Sequence, residues 1–390
     1  MDQMKKLHIK KSNYIKIERR NANDLLKLLR SISNKVSIID KKKKVLHEND
    51  FVFFPISENL KFSDNELFKM FREQFNIEII KKRGFEKPNY KFRTIEEVIK
   101  NNLSESFINL TPKSYDIIGE IAIVEFDQIN QKNLDEAEKV KREIASAIIS
   151  VNKNIKTVYE KKSEIKGDFR LRDLKLLYGN DSSETIYKEN NCLFKLDVKK
   201  TYFTPRLIYE HKRISSLEIK KKEVIIDLFA GVGPFSIQIA KKHDVLIYSF
   251  DFNPFAYNYL KENININKLK GTVYAYNLNV KELLSPSNIM GKDLRNKADR
   301  IIMNLPENSI DYLEIACFLL KPQSGILHVY QFCEKPDSIK NAISNIRETL
   351  KNLNRSIINI LESRIVKAFS PKSDLVVVDI LIKKNGNNFT

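Results

Sequence analysis

Residues 226–236, reading IDLFAGVGPFS, constrain the fold of this chain more than any other stretch. An apolar run ends at Asp227, Gly231 and Gly233 turn the chain sharply, and a helix is expected from Pro234. Glycine suits such a turn because it tolerates left-handed backbone and lets a ligand come close to the main chain. The helix start offers unpaired N–H groups and the positive end of its dipole to an anionic group. Around this turn strands alternate with helices. Residues 224–228, 245–250, 273–276, 300–303 and 326–331 read as strands, and residues 234–242, 254–267 and 309–320 as helices. Such alternation predicts a doubly wound, Rossmann-like α/β sheet.

A second feature fixes what the turn serves. Asp251 ends the next strand in FDFNP, about 20 residues beyond Gly231, the spacing of an acid that grips ribose hydroxyls. A dinucleotide enzyme shows the same pair, but the third glycine of its fingerprint is replaced here by Ser236. A turn that merely packs strand on helix is the bland alternative, and the two motifs at matched spacing favour binding over it.

Before this region the pattern differs. Residues 1–100 read as a separate α+β module, with helical spacing over 24–32 and strands at 36–39 and 51–56 around the basic turn 41–44. Residues 84–89 read as a linker. Residues 104–200 form a small α+β middle domain: a strand over 117–126, a helix over 133–150, then strands at 155–159, 169–178, 184–188 and 192–198. Residues 201–390 carry the doubly wound domain, closed by an antiparallel pair at 357–366 and 375–382, with 285–297 as a surface insertion.

Composition narrows the partners. The net charge of +18 favours a polyanion, although each basic cluster taken alone reads as solvated surface. Three scattered cysteines and five scattered histidines predict neither a disulfide framework nor a metal site. No apolar run reaches membrane-spanning length and the start lacks a signal peptide's apolar core, so a soluble protein of a reducing compartment is expected.

Asn304-Leu305-Pro306 follows the strand 300–303 and resembles the Asn/Asp-Pro-Pro-aromatic element of amino- and ring-nitrogen methyltransferases. The pattern in DLFAGVGPF likewise resembles the first motif of class I methyltransferases. With TYFTPRLIYEHKRI at residues 201–214, DFNP and NLPENSIDYLE, the chain from about Phe107 onward resembles the tRNA (guanine(37)-N1)-methyltransferases of the eukaryotic and archaeal type.

The resemblance implies S-adenosyl-L-methionine as cofactor and, as partner, a tRNA with guanosine at position 37. It implies Glu210 as general base for the N1 proton, Arg170 as donor to O6, and Asn304 as the residue orienting the guanine. His211, Asp227, Gly231, Gly233, Asp251, Phe252, Asn279, Val280 and Asn304 are then the cofactor-binding set, and Tyr202, Pro205 and Arg206 face the substrate. Asn279 stands where the family usually has aspartate. Without the resemblance, Glu210 reads as a salt bridge to Lys212 or Arg213, and Arg170 as a partner of Asp173. A monomer in the cytoplasm is expected, with nucleus and mitochondrial matrix also open. The competing readings are a wyosine-pathway aminocarboxypropyl transferase and a catalytically silent RNA-binding homologue.

Overall fold

A computed structural model describes residues 11–32, 38–57, 66–87, 90–100, 103–126 and 134–385. The chain divides into two units, Met1–Arg93 and Thr94–Thr390.

In the first unit, strands β1 (Lys11–Glu18), β2 (Leu46–Glu48), β3 (Phe51–Pro55) and β4 (Glu78–Arg83) form an antiparallel sheet in the order β2-β3-β1-β4. Helix α1 (Ala22–Ile32) presents Ala22, Leu25 and Leu29 at helical spacing, and α2 (Glu66–Phe75) adds Phe68 and Phe71. These pack on Ile15, Ile17, Val52 and Phe54 of the sheet. Of the strand expected at 36–39, Ile39 forms an isolated bridge to Ile56, while Val36 lies outside the described residues. The expected linker begins too early. Lys44 N–H donates to the Phe85 carbonyl at 2.7 Å and Lys87 N–H to that of Lys42 at 2.7 Å, so these residues belong to the first unit.

The second unit opens with α3 (Ile95–Ile99) and α4 (Glu105–Ile108). Strands β5 (Asp116–Ile118), β6 (Ile121–Val124), β7 (Thr157–Lys161) and β8 (Leu174–Gly179) then form a sheet in chain order. The single strand expected over 117–126 is instead a hairpin, because Gly119 takes φ +58° and reverses the chain after Ile118. Helix α5 (Leu134–Val151) crosses between the parallel strands β6 and β7, burying Ala137, Val140, Ile144 and Ile148. The strand expected from residue 169 starts only at Leu174, since Gly167 and Arg170 both adopt positive φ. Next, β9 (Glu184–Glu189) and β10 (Cys192–Asp197) form a two-stranded hairpin through Asn190 and Asn191, whose positive φ angles match a two-residue turn.

The large sheet has seven strands in the order β13-β12-β11-β14-β15-β17-β16. They are β11 (Val224–Asp227), β12 (Leu246–Asp251), β13 (Thr272–Asn277), β14 (Arg300–Met303), β15 (Gly325–Glu334), β16 (Arg355–Ala368) and β17 (Ser373–Lys384). The first five run parallel; β17 pairs antiparallel with both β15 and β16. Helices α6 (Ile208–Ser215), α7 (Pro234–Lys242), α8 (Pro254–Ile266), α9 (Ile289–Leu294), α10 (Leu313–Leu319) and α11 (Ser338–Asn352) accompany these strands. Two apolar clusters carry the packing, one around Ile226, Met303, Val376 and Ile346, the other around Ile225, Phe235, Ile302 and Val377.

Three sequence expectations change here. Residues 309–320 begin as a tight helical turn and become α-helix only at Leu313. The stretch 285–297 is not a free insertion: α9 buries Gly291 and Leu294, and a Cβ on Gly291 would lie 1.9 Å from the Leu283 carbonyl oxygen. Helix α11, absent from the sequence expectation, buries Ala342, Ile346 and Leu350 at i, i+4, i+8.

The chain leaves β11 for β12 and β13, then returns past β11 to β14. The carboxyl ends of β11 and β14 therefore flank the switch point where α/β sheets hold ligands.

Candidate active site

A cavity of about 440 Å³ opens at that switch point, within the size range of small-molecule sites. Arg170, Tyr202, His211, Gly231, Asp251, Phe252, Asn279, Val280 and Asn304, expected from sequence, all line it.

The glycine turn forms the floor, and its two glycines do different work. Gly231 (φ +56°) lines the cavity, and a Cβ there would meet nothing nearer than the Tyr202 carbonyl oxygen at 4.0 Å. Its bareness leaves room for a ligand. Gly233 (φ +95°) does not line the cavity; a Cβ there would strike Leu260 Cδ1 at 2.5 Å and Ile237 Cδ1 at 2.8 Å. It serves backbone hand and packing, so its expected place in the binding set is corrected to support. Asp227 is likewise behind the wall. It is fully buried, accepts from Ser236 Oγ at 2.7 Å, and burial pushes its carboxyl up to about 7. Ser236, the departure from the dinucleotide fingerprint, is thus the partner of this carboxyl; it also accepts from Ser249 Oγ at 2.8 Å.

Asp251 ties the turn to its neighbouring strand. One oxygen accepts from Gly231 N–H at 2.7 Å and the other from Asn253 N–H at 2.9 Å. Desolvation nevertheless dominates and pushes the carboxyl up to about 6. Each oxygen keeps a lone pair for a ligand hydroxyl. Phe252, half exposed, meets Phe169 at 5.6 Å between centroids. Asn279 uses its side-chain oxygen to accept from Lys281 N–H at 3.2 Å, opening the turn that carries the buried Val280.

Across the cavity, Asn304 follows β14 with its side-chain oxygen buried and without a hydrogen-bond partner. An unpartnered buried acceptor is costly unless a ligand supplies the donor. Arg170 lies over the Tyr202 ring at 5.0 Å, with its guanidinium 3.2 Å from Glu307. The Asp173 pairing expected as the ordinary reading is therefore replaced by one with Glu307. Pro205 and Arg206 are not among the lining residues: Pro205 opens a helical turn capped by Thr204, and Arg206 pairs with Asp116 at 2.8 Å.

Glu210 is the largest departure. It is buried on α6 but does not line the cavity. One oxygen accepts from Arg213 at 3.0 and 3.1 Å and from the Tyr330 hydroxyl at 2.8 Å; Arg364 contacts the other. Arg213 in turn holds Asp379 at 2.5 Å and Glu362 at 3.1 Å. The next residue, His211, faces the cavity, with Nδ1 2.6 Å from Glu189 Oε1.

Sequence reasoning missed Phe229, Phe332, Lys367 and Phe369 of the cavity lining. Lys367 is half-buried, and burial lowers its amino group from the usual lysine range. Phe229 sits inside the glycine motif itself, whereas Phe332 on β15, Lys367 on β16 and Phe369 just after β16 lie in no recognisable motif and come from far along the chain.

The glycine turn, the acid on the next strand and the unpartnered Asn304 across a cavity at the switch point define a class I, S-adenosylmethionine-dependent methyltransferase. Residues 185–358 match the TRM5/TYW2 methyltransferase domain and residues 95–182 the TYW2 N-terminal domain. The chain is 33% identical over 344 residues to the tRNA (guanine(37)-N(1))-methyltransferase Trm5b of Pyrococcus abyssi, covering 88% of this chain and 92% of that protein. It is also 33% identical over 266 residues to the tRNA(Phe) (4-demethylwyosine(37)-C(7)) aminocarboxypropyltransferase of Methanocaldococcus jannaschii, covering 68% of this chain and 96% of that protein. Among solved structures, aTrm5 in complex with tRNALeu has a TM-score of 0.69 at 28% identity, covering 94% of this chain and 99% of that one. TYW2 of Pyrococcus horikoshii in complex with MeSAdo has a TM-score of 0.61 at 26% identity, covering 75% of this chain and 98% of that one. This chain belongs to the TRM5/TYW2 methyltransferase family.

Among the described residues no helix is long and apolar enough to cross a membrane, and no cluster of His, Cys, Asp and Glu is arranged to hold a metal ion.

Proposed function

We propose that this enzyme transfers the methyl group of S-adenosylmethionine to N1 of guanosine 37 in tRNA. The carrying observation is that Arg170 and the unpartnered oxygen of Asn304 line one cavity with the glycine turn and Asp251. Coverage separates this reading from its nearest rival. The Trm5b relative covers 88% of this chain and the aminocarboxypropyltransferase 68%.

When bound, S-adenosylmethionine supplies an electrophilic methyl group on a sulfonium. The residues suit it. Asp251 has lone pairs for the ribose hydroxyls, bare Gly231 leaves room against the backbone, and Val280 offers an apolar side wall. The Asn304 amide orients the guanine edge. Arg170 donates to O6, where negative charge grows as N1 loses its proton, and it leaves Glu307 to do so. Glu210 is the base we assign to that proton. Since Arg213, Tyr330 and Arg364 now engage both its oxygens, this role requires the carboxylate to turn from them toward its helix neighbour His211. The basic first unit contacts tRNA by phosphate and shape. The protein acts as a monomer in the cytoplasm.

The test is methyl transfer to two tRNA transcripts differing only in guanosine or adenosine at position 37, with the product nucleoside identified by mass. N1-methylguanosine from the first alone is expected. An added aminocarboxypropyl group would assign the rival chemistry, and cofactor binding with no product on either would make the chain a silent binder.

A further inference from the structure

Glu189, the last residue of β9, is buried and comes from outside every motif that names the active site. Its Oε1 stands 2.6 Å from His211 Nδ1 and accepts from Gln238 Nε2 at 2.7 Å, while Oε2 is buried with no partner. Gln238 is itself fixed, since its amide oxygen accepts from Asn190 Nδ2 at 2.9 Å. Asn190 also donates to the Ile208 carbonyl at 3.3 Å. The β9–β10 hairpin belongs to none of the three larger sheets, and its turn grips the two helices, α6 and α7, that bring His211 and Phe235 to the cavity.

Such burial is poor value for stability, because apolar replacement of a buried ion pair is often neutral or stabilising. What the carboxylate does fix is the imidazole. To meet a carboxylate, Nδ1 must carry a proton, so Nε2 is the ring's remaining polar atom for the cavity. Phe235 stands edge-on to the ring at 4.7 Å and holds its plane.

Strand order gives this ring its place along the cavity. Asn279 follows β13, Asp251 ends β12, Gly231 follows β11 and Asn304 follows β14. With ribose on Asp251 and adenine toward Asn279, the amino-acid tail of S-adenosylmethionine runs the other way. It then crosses the glycine turn to the start of α7, where Phe235 and His211 stand. We propose that Glu189 is a positioning residue for the cofactor, holding His211 so that Nε2 meets the amino-acid tail. This rests on the ribose and adenine assignments of Asp251 and Asn279.

The experiment compares two ligands by calorimetry: S-adenosylhomocysteine, which has the tail, and 5′-methylthioadenosine, which lacks it. Glu189→Gln should weaken the first about tenfold, the scale of one charge-assisted hydrogen bond, and leave the second within about twofold. Combined with His211→Ala it should add no further loss, since it acts through the ring. Equal losses for both ligands would reduce Glu189 to support of the fold, and no loss for either would also overturn the proposal. If His211→Ala is selective for the tailed ligand and Glu189→Gln is not, only Glu189 is wrong. If neither is selective, the placement of the tail fails as well. Should Glu189→Gln not fold, Gln238→Leu removes the second donor to the same oxygen and must give a smaller loss with the same selectivity; an unselective loss overturns the proposal.

Discussion

Asp251 gives cofactor binding a pH dependence whose sign and size follow from its surroundings. Burial holds its carboxyl near 6 against an ordinary value of 3.8, despite the two backbone N–H donors. Ribose hydroxyls are donors, so the ionised carboxyl is the binding form, and protonation competes with the ligand. If only the ionised fraction is competent, the apparent Kd scales as the inverse of that fraction. With the carboxyl near 6, about a tenth is ionised at pH 5 and nine-tenths at pH 7, so affinity for S-adenosylhomocysteine should fall roughly tenfold between them. Folding runs the other way. A raised carboxyl favours the native state below the unfolded value and loses that contribution as pH rises through about 6. Loss of binding at pH 5 is therefore not loss of fold through this group. Calorimetry from pH 5 to 8 on the wild type and Asp251→Asn checks it. The variant should bind about 10- to 100-fold more weakly at pH 7, the cost of charge-assisted hydrogen bonds, with a flatter profile. A wild-type affinity flat over this range, or a slope that survives in Asp251→Asn, would refute the reasoning.

Glu210→Gln should slow single-turnover methyl transfer by about 10²- to 10⁴-fold while S-adenosylhomocysteine affinity stays within about twofold; an undiminished rate removes Glu210 from the mechanism. Because the change leaves Arg213 and Arg364 facing a neutral amide, thermal unfolding should also shift downward, and an unchanged Tm would deny the ion cluster a structural role. The two glycines should part company. Gly233→Ala costs about 1–3 kcal/mol of stability through overpacking against Leu260, and Gly231→Ala weakens the cofactor more than the fold; reversed outcomes in denaturation and calorimetry would undo their assignments. Removing residues 1–93 should weaken tRNA binding and flatten its salt dependence with cofactor affinity kept, and an unchanged salt slope would disconnect the first unit from RNA.

The alternating core was legible because its signals are local. Short apolar strands, paired glycines and prolines at helix starts placed α7 and β14 at their observed bounds. Ile117 and Ala122 were legible as strand, but the reversal at Gly119 was not, since one glycine inside an apolar run looks the same in a strand and in a turn. Helix α11 could have been read from Ala342, Ile346 and Leu350, whose spacing the polar residues between them mask. The cavity-facing side of the site came from motifs. The surroundings of Glu210 did not, because Tyr330 and Arg364 lie 120 or more residues away and meet it only through sheet pairing, as Asp379 meets its neighbour Arg213. Glu189 escaped because it lies outside every motif and meets His211 and Gln238 only where the β9–β10 hairpin packs on α6 and α7.

The order of the last strands bears on how this molecule can be assembled. Strand β17 fills the slot between β15 and β16, and Val376, Val377, Val378 and Ile380 on it are wholly buried. Among the described residues β16 pairs only with β17, so the two arrive as a hairpin against β15. Until they do, β15 is a ten-residue open edge rich in apolar and aromatic side chains, the sort of surface that recruits other chains. The same hairpin delivers Lys367, Phe369 and Leu375 to the cavity wall. Docking of one hairpin thus removes the main aggregation hazard and completes the binding wall together, and in a refolding time course protection of the β15 amides and recovery of ligand binding should appear in the same phase.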